Sequence, residues 1–82
     1  MNYYVYLIKS EDNGNIRTYV GYTNNLNKRI ELHNLGKGAK STRGRYWRLI
    51  YKKKYSSKSI AMKQEYKLKK NRKLRNLLKD II

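Results

Sequence analysis

Five side chains of this 82-residue chain have the types that phosphodiester cleavage requires. Tyr6 and Tyr19 stand in two short segments, Tyr4-Val5-Tyr6 and Tyr19-Val20-Gly21. Arg29 and His33 follow at a four-residue spacing, and Glu65 is the lone mid-chain carboxylate. A water that attacks phosphorus must lose a proton, so a base is needed. A phenol is a poor base at its reference pKa near ~10. Neighbouring cations and a bound metal stabilise the phenolate and move that value down. Arg29 can serve that purpose and also carry the extra charge on a five-coordinate phosphorus. Its planar fork suits two phosphate oxygens, which an ammonium does not match. Tyr6 and Tyr19 are the candidates for the base and for its partner or a phosphate ligand, in either order. His33, one helical turn beyond Arg29, can take a proton from a Tyr or orient the water. Only five acids are present: Glu11, Asp12, Glu31, Glu65 and Asp80. A two-metal site draws on a cluster of carboxylates. The workable design here is a single Mg²⁺ or Mn²⁺ held by Glu65, phosphate oxygens and water.

Each of these residues also has a plainer role open to it. Strand tyrosines in a chain holding nine serve as cross-strand or core aromatics. His33 can sit at a helix end and interact with the dipole. Arg29 can be a solvated charge. Glu65 has Lys69 four residues on and can pair with it on the surface.

The elements that must position these groups are legible in the pattern. Tyr3 to Ile8, rich in aromatic and β-branched residues, reads as a strand. Glu11 to Asn15 is turn chemistry, and Arg17 to Tyr22 reads as the antiparallel return strand. A turn centred near Asp12-Asn13 sets Tyr6 opposite Tyr19 on one face, and Gly21 leaves a gap in that face for something to approach. Thr23, Asn24 and Asn25 are N-cap candidates for a helix to about Leu35, with Leu26, Ile30 and Asn34 on one side and Arg29 and His33 on the next stripe. Gly36 ends it. Residues 37–45 read as an exposed basic loop, in which Lys37, Lys40, Arg43 and Arg45 are candidate grips on DNA backbone phosphates and Ser41 and Thr42 add hydroxyl contacts.

Tyr46 to Tyr55 reads as a third strand, with Trp47, Leu49 and Tyr51 facing one way and Trp47 in the core. Ser56 or Ser57 caps a second helix over Lys58 to Lys70, where Ala61, Glu65 and Leu68 share a stripe. A carboxylate on an apolar stripe needs a reason, because burying one alone is costly. Arg72 to Ile82 continues as an amphipathic segment carrying Leu74, Leu77, Leu78 and Ile81, set off by Asn71, whose stripe is expected to cover the sheet or the second helix. The expectation is a single domain over residues 1–82, small and α/β, in the order β-β-α-β-α-α.

Charge is the strongest bulk signal. Lys and Arg number 21 against 5 acids, a formal net charge of +16. Self-repulsion of that size opposes compaction unless a polyanion neutralises it, and nucleic acid is the first candidate, bound with a marked salt dependence. No Cys is present, which excludes disulfides and thiolate metal sites. No apolar run approaches the ~18 residues of a membrane span and no signal-peptide pattern opens the chain. The expectation is a soluble, intracellular protein with no membrane partner.

The two tyrosine strings, the trailing Arg and the later helical Glu resemble the GIY-YIG nuclease family. So does the run from Tyr19 through Asn24-Asn25-Leu26-Asn27-Lys28-Arg29-Ile30, and so does Gly36-Lys37-Gly38-Ala39-Lys40-Ser41-Thr42-Arg43-Gly44-Arg45. The latter looks like small stand-alone bacterial members of the YhbQ type. The Arg17-Thr18-Tyr19-Val20-Gly21 run and the stretch from Ala39-Lys40 to Trp47 are also similar to the catalytic subunit of eukaryotic structure-specific endonucleases that cut branched DNA. The resemblance spans about Tyr3 to Lys70. It departs from the pattern where Tyr4 replaces the Gly of the first motif, and the family's Asn after the Glu helix could fall at Asn71 or Asn76. The resemblance implies a three-stranded antiparallel sheet flanked by helices and metal-dependent cleavage of DNA, branched or damaged, in repair or recombination. It also implies a protein partner for targeting. The rival expectation is a module that binds nucleic acid without turnover.

Overall fold

In the computed structural model, which describes residues 1–81, the elements follow the expected order. Strands β1 (Tyr3–Asp12), β2 (Asn15–Thr23) and β3 (Arg48–Tyr55) form one sheet in the order β2-β1-β3, antiparallel throughout. Helices α1 (Leu26–Asn34), α2 (Lys58–Lys70) and α3 (Arg72–Ile81) flank it. The last residue of the amphipathic segment, position 82, lies outside the described residues.

The β1–β2 turn corrects the expected register. Asp12 pairs with Asn15, so Asn13 and Gly14 are the two turn residues, with φ of 51° and 82°. Positive φ at both positions is the tight turn whose twist matches the strands, and Asn-Gly is its preferred sequence. Tyr6 therefore faces Gly21, and Tyr19 faces Ile8. Side chains alternate with period two, so this slip of two positions leaves Tyr6 and Tyr19 on the same face.

Central β1 is buried from Val5 to Ser10 and serves two cores. On one face Val5, Leu7, Val20 and Ile50 pack with Ala61 and Leu68 of α2, and Leu78 of α3 joins them. On the other, Tyr6, Ile8 and Trp47 pack with Tyr19, Leu26 and Ile30. Burying an aliphatic side chain of this size stabilises by about 1.5–3 kcal/mol, and a chain this short depends on each one. A bulge between Leu7 and Ile8 lets Ile50 stand unpaired, because Leu7 opposes Tyr51 and Ile8 opposes Leu49. Leu49 and Tyr51 thus fall on opposite faces, not on one as simple alternation suggested.

Helix ends obey their local chemistry. Asn25 caps α1 by accepting from the Lys28 amide at 3.2 Å, and Ser57 caps α2 by accepting from the Ile60 amide at 3.2 Å. Asn71 ends α2, and its side chain accepts from the Leu74 amide at 3.1 Å to start α3. Of the apolar stripe on α3, Leu78 reaches the core, while Leu77 and Ile81 remain exposed. Lys9, nearly buried, donates to the Lys79 carbonyl at 2.9 Å and satisfies a terminal acceptor of that helix. No helix among the described residues is long and apolar enough to cross a membrane.

Candidate active site

Gly21 is the position on which the site is built. It lies on edge strand β2 opposite Tyr6, and the Tyr6 phenol covers it. A Cβ at Gly21 would come within 3.0 Å of the ring. The gap expected in the sheet is thus filled by the chain's own tyrosine. Gly21→Ala should overpack this contact and destabilise the protein by about 1–3 kcal/mol. A lower urea midpoint at unchanged slope would show it.

From above, α1 supplies His33 and Arg29. The Tyr6 hydroxyl and His33 Nε2 are 2.7 Å apart, and both side chains are almost wholly buried. Tyr19, half-buried, sets its ring edge-on to the imidazole at 5.0 Å between centroids. The imidazole Nδ1 lies 2.9 Å from the Thr42 hydroxyl. Burial, and then the Arg29 charge, hold His33 below the usual imidazole range, so the ring is neutral at neutral pH. Tyr6 is pushed up to about 12, chiefly by desolvation. The Arg29 guanidinium opposes that rise, while the Tyr19 phenol and the Glu65 charge add to it. Glu65 on α2 therefore lies within electrostatic reach of the same phenol that Arg29 and Tyr19 flank.

Arg29 Nη2 donates to the Gly38 carbonyl at 3.3 Å, and its Nε is buried with no acceptor among the described residues. On its outer side Arg29 lines a cleft of about 360 Å³ with Tyr3, Tyr22, Thr23, Asn24 and Lys58. Glu65 is one-sixth exposed and lies 3.5 Å from Lys69 Nζ, the pairing that its i,i+4 spacing suggested.

The structure thus brings Tyr6, Tyr19, Arg29 and His33 together, and Glu65 acts on the Tyr6 phenol through its charge. The basic loop divides. Lys37, Lys40 and Arg43 are exposed. Arg45 is engaged by the hairpin, donating to the Ser10 hydroxyl at 2.9 Å and to the Asn15 carbonyl at 2.7 Å. Thr42, expected as an exposed hydroxyl, is fully buried in a short 3₁₀ turn, Lys40–Thr42. Trp47 Nε1 donates to the Thr42 carbonyl at 2.8 Å, and Asn34 brackets the Trp47 backbone through its carbonyl and amide. Gly38 lets the loop pass over His33, since a Cβ there would strike the imidazole. Thr42, Gly38 and Asn34 carry no mark in the sequence that separates them from ordinary loop and helix residues. Only the fold shows what they touch.

The family model of the GIY-YIG catalytic domain matches residues 2–78. The chain belongs to the GIY-YIG family. Membership points to a nuclease. A UPF0213 protein of Oceanobacillus iheyensis is 47% identical over 68 residues, covering 82% of this chain and 76% of that one. The UPF0213 protein YazA of Bacillus subtilis is 46% identical over 70 residues, covering 84% of this chain and 68% of YazA. The solution NMR structure of a UPF0213 protein from Bacillus halodurans matches with a TM-score of 0.53 at 41% identity, over 99% of this chain and 85% of that one. The three-stranded sheet with its helices is accordingly the GIY-YIG architecture in this chain as well.

Proposed function

We propose that this protein is a metal-dependent DNA endonuclease that hydrolyses phosphodiesters at the Tyr6–His33–Arg29–Glu65 site. One observation carries the reading: a buried phenol has a neutral imidazole as its hydrogen-bond partner, a guanidinium beside it and a carboxylate within electrostatic reach. That set can move a proton and stabilise a phosphoryl transition state.

Of the two phenols, Tyr6 is the one with a proton acceptor. Its proton passes to His33 Nε2 as the phenol oxygen takes a proton from water. The resulting hydroxide adds to phosphorus and the P–O bond to the leaving sugar oxygen breaks. Arg29 holds the non-bridging oxygens, which gain charge in that step. Tyr19, half-buried, sets its ring against the imidazole and braces it. Among the described residues no three His, Cys, Asp or Glu side chains gather into a protein cage. One carboxylate with a single cationic neighbour at 3.5 Å suits an ion that keeps most of its waters, such as Mg²⁺ or Mn²⁺. Bound at Glu65, such an ion supplies Lewis-acid stabilisation of the leaving oxygen.

The formal charge of +16 and the exposed Lys37, Lys40 and Arg43 suit a DNA backbone. Branched or damaged DNA is the proposed substrate class, through the family resemblance. Glu65→Ala tests the reading against a module that only binds. Cleavage should fall by at least about 100-fold, the lower end of a several-kcal/mol Lewis-acid contribution, while salt-dependent binding persists. Binding without cleavage by the unaltered protein, on any DNA with either ion, would leave only the binding module.

A further inference from the structure

The Thr42 hydroxyl has one proton to place, and the Ala39 carbonyl is within reach of it. Its Oγ1 lies 3.0 Å from the Ala39 carbonyl, which can only accept. The same oxygen lies 2.9 Å from His33 Nδ1. With its proton committed to Ala39, the hydroxyl can only accept from the ring. That arrangement assigns the imidazole hydrogen to Nδ1. In a neutral ring Nε2 is then a bare lone pair, and at 2.7 Å it can only accept the Tyr6 proton. The rest of the geometry prevents Thr42 from turning away. It is fully buried, its amide donates to the Ala39 carbonyl at 3.2 Å, and its carbonyl is held by Trp47 Nε1.

We propose that Thr42 is a positioning residue that fixes the Nδ1–H tautomer of His33 and so leaves Nε2 free to receive the Tyr6 proton. The consequence for rate rests on the nuclease reading; the tautomer does not. With the other tautomer Nε2–H would point at the phenol, Tyr6 would have to accept, and its proton would have no sink. Partners that fix the tautomer of a metal-bound histidine typically carry ~10–100-fold in affinity or activity, and the same order is expected for a partner that fixes the tautomer of a proton-accepting one.

His33 is the only histidine in the chain, so its ring nitrogens can be observed without ambiguity by long-range ¹H–¹⁵N correlation on uniformly labelled protein. The unaltered protein should show the Nδ1–H pattern at neutral pH. Thr42→Val keeps the shape, removes the acceptor, and should shift the ring toward Nε2–H. It should also lower the single-turnover cleavage rate roughly 10–100-fold with DNA affinity unchanged. Thr42→Ser should restore both. An Nε2–H pattern in the unaltered protein overturns the proposal, as does a tautomer that Thr42→Val leaves in place. Should Thr42→Val not fold, the unaltered protein and Thr42→Ser still decide, because both must show Nδ1–H. An Nδ1–H ring in a protein that cuts no DNA would sink the nuclease reading alone and leave the tautomer assignment standing.

Discussion

Tyr6→Phe should lower the cleavage rate by ~10²–10⁴-fold, the range that a positioned proton-transfer group supplies. The ring that covers Gly21 stays, and only the hydroxyl is lost. Loss of that hydroxyl leaves buried His33 Nε2 without its donor, which should cost about 1–3 kcal/mol of stability. DNA affinity should hold, because Tyr6 is buried and presents nothing to a backbone phosphate. Tyr19→Phe is the matched comparison. It keeps the edge contact with the imidazole and should lose far less rate. Single-turnover cleavage at saturating protein separates rate from affinity for both variants. The reverse ranking would make Tyr19 the base and confine Tyr6 to holding His33.

Arg29→Ala should cost roughly 10²–10³ in rate, the size of removing a preorganised donor from a developing oxyanion. Two effects add. The phosphate loses its fork, and the Tyr6 phenol loses the group that opposes its rise toward 12. Arg29→Lys restores the charge but not the paired N–H groups. It should recover only part of the loss. Arg29→Ala should also lower the slope of log affinity against log salt by about one, the signature of a single lost phosphate contact, whereas Arg29→Lys, which keeps the charge, should leave that slope unchanged. A lysine variant that cuts like the unaltered protein would mean that the fork geometry is idle and that only the charge matters.

Much of the fold lay open in local chemistry. Gly36 marked the end of α1, and the caps fell within the short candidate runs Thr23-Asn24-Asn25 and Ser56-Ser57, from which the structure selects Asn25 and Ser57; that α1 and α2 cover opposite faces of the sheet only the structure shows. The hairpin register was harder. The turn was expected near Asp12-Asn13, and the backbone's need for positive φ at two successive residues puts it at Asn13-Gly14 instead. The bulge at Ile50 left no trace, because a single inserted residue in an apolar strand does not disturb composition. The chemically capable residues could be named from their types, but not their order of action. That depends on which phenol has an acceptor, a property of long-range contacts across 27 positions of sequence. The loop misled for the same reason. Its Gly and Lys content signalled exposure, yet Thr42 is buried beneath it and Arg45 is tied to the hairpin.

The most direct measurement is cleavage of end-labelled linear, flap and four-way DNA with Mg²⁺ or Mn²⁺, by the unaltered protein and by Glu65→Ala at matched binding occupancy. The account predicts discrete ion-dependent products from at least one structured DNA and almost none from the variant. Equal cutting by both proteins would contradict a role for Glu65, and no product from either would contradict hydrolysis at this site altogether.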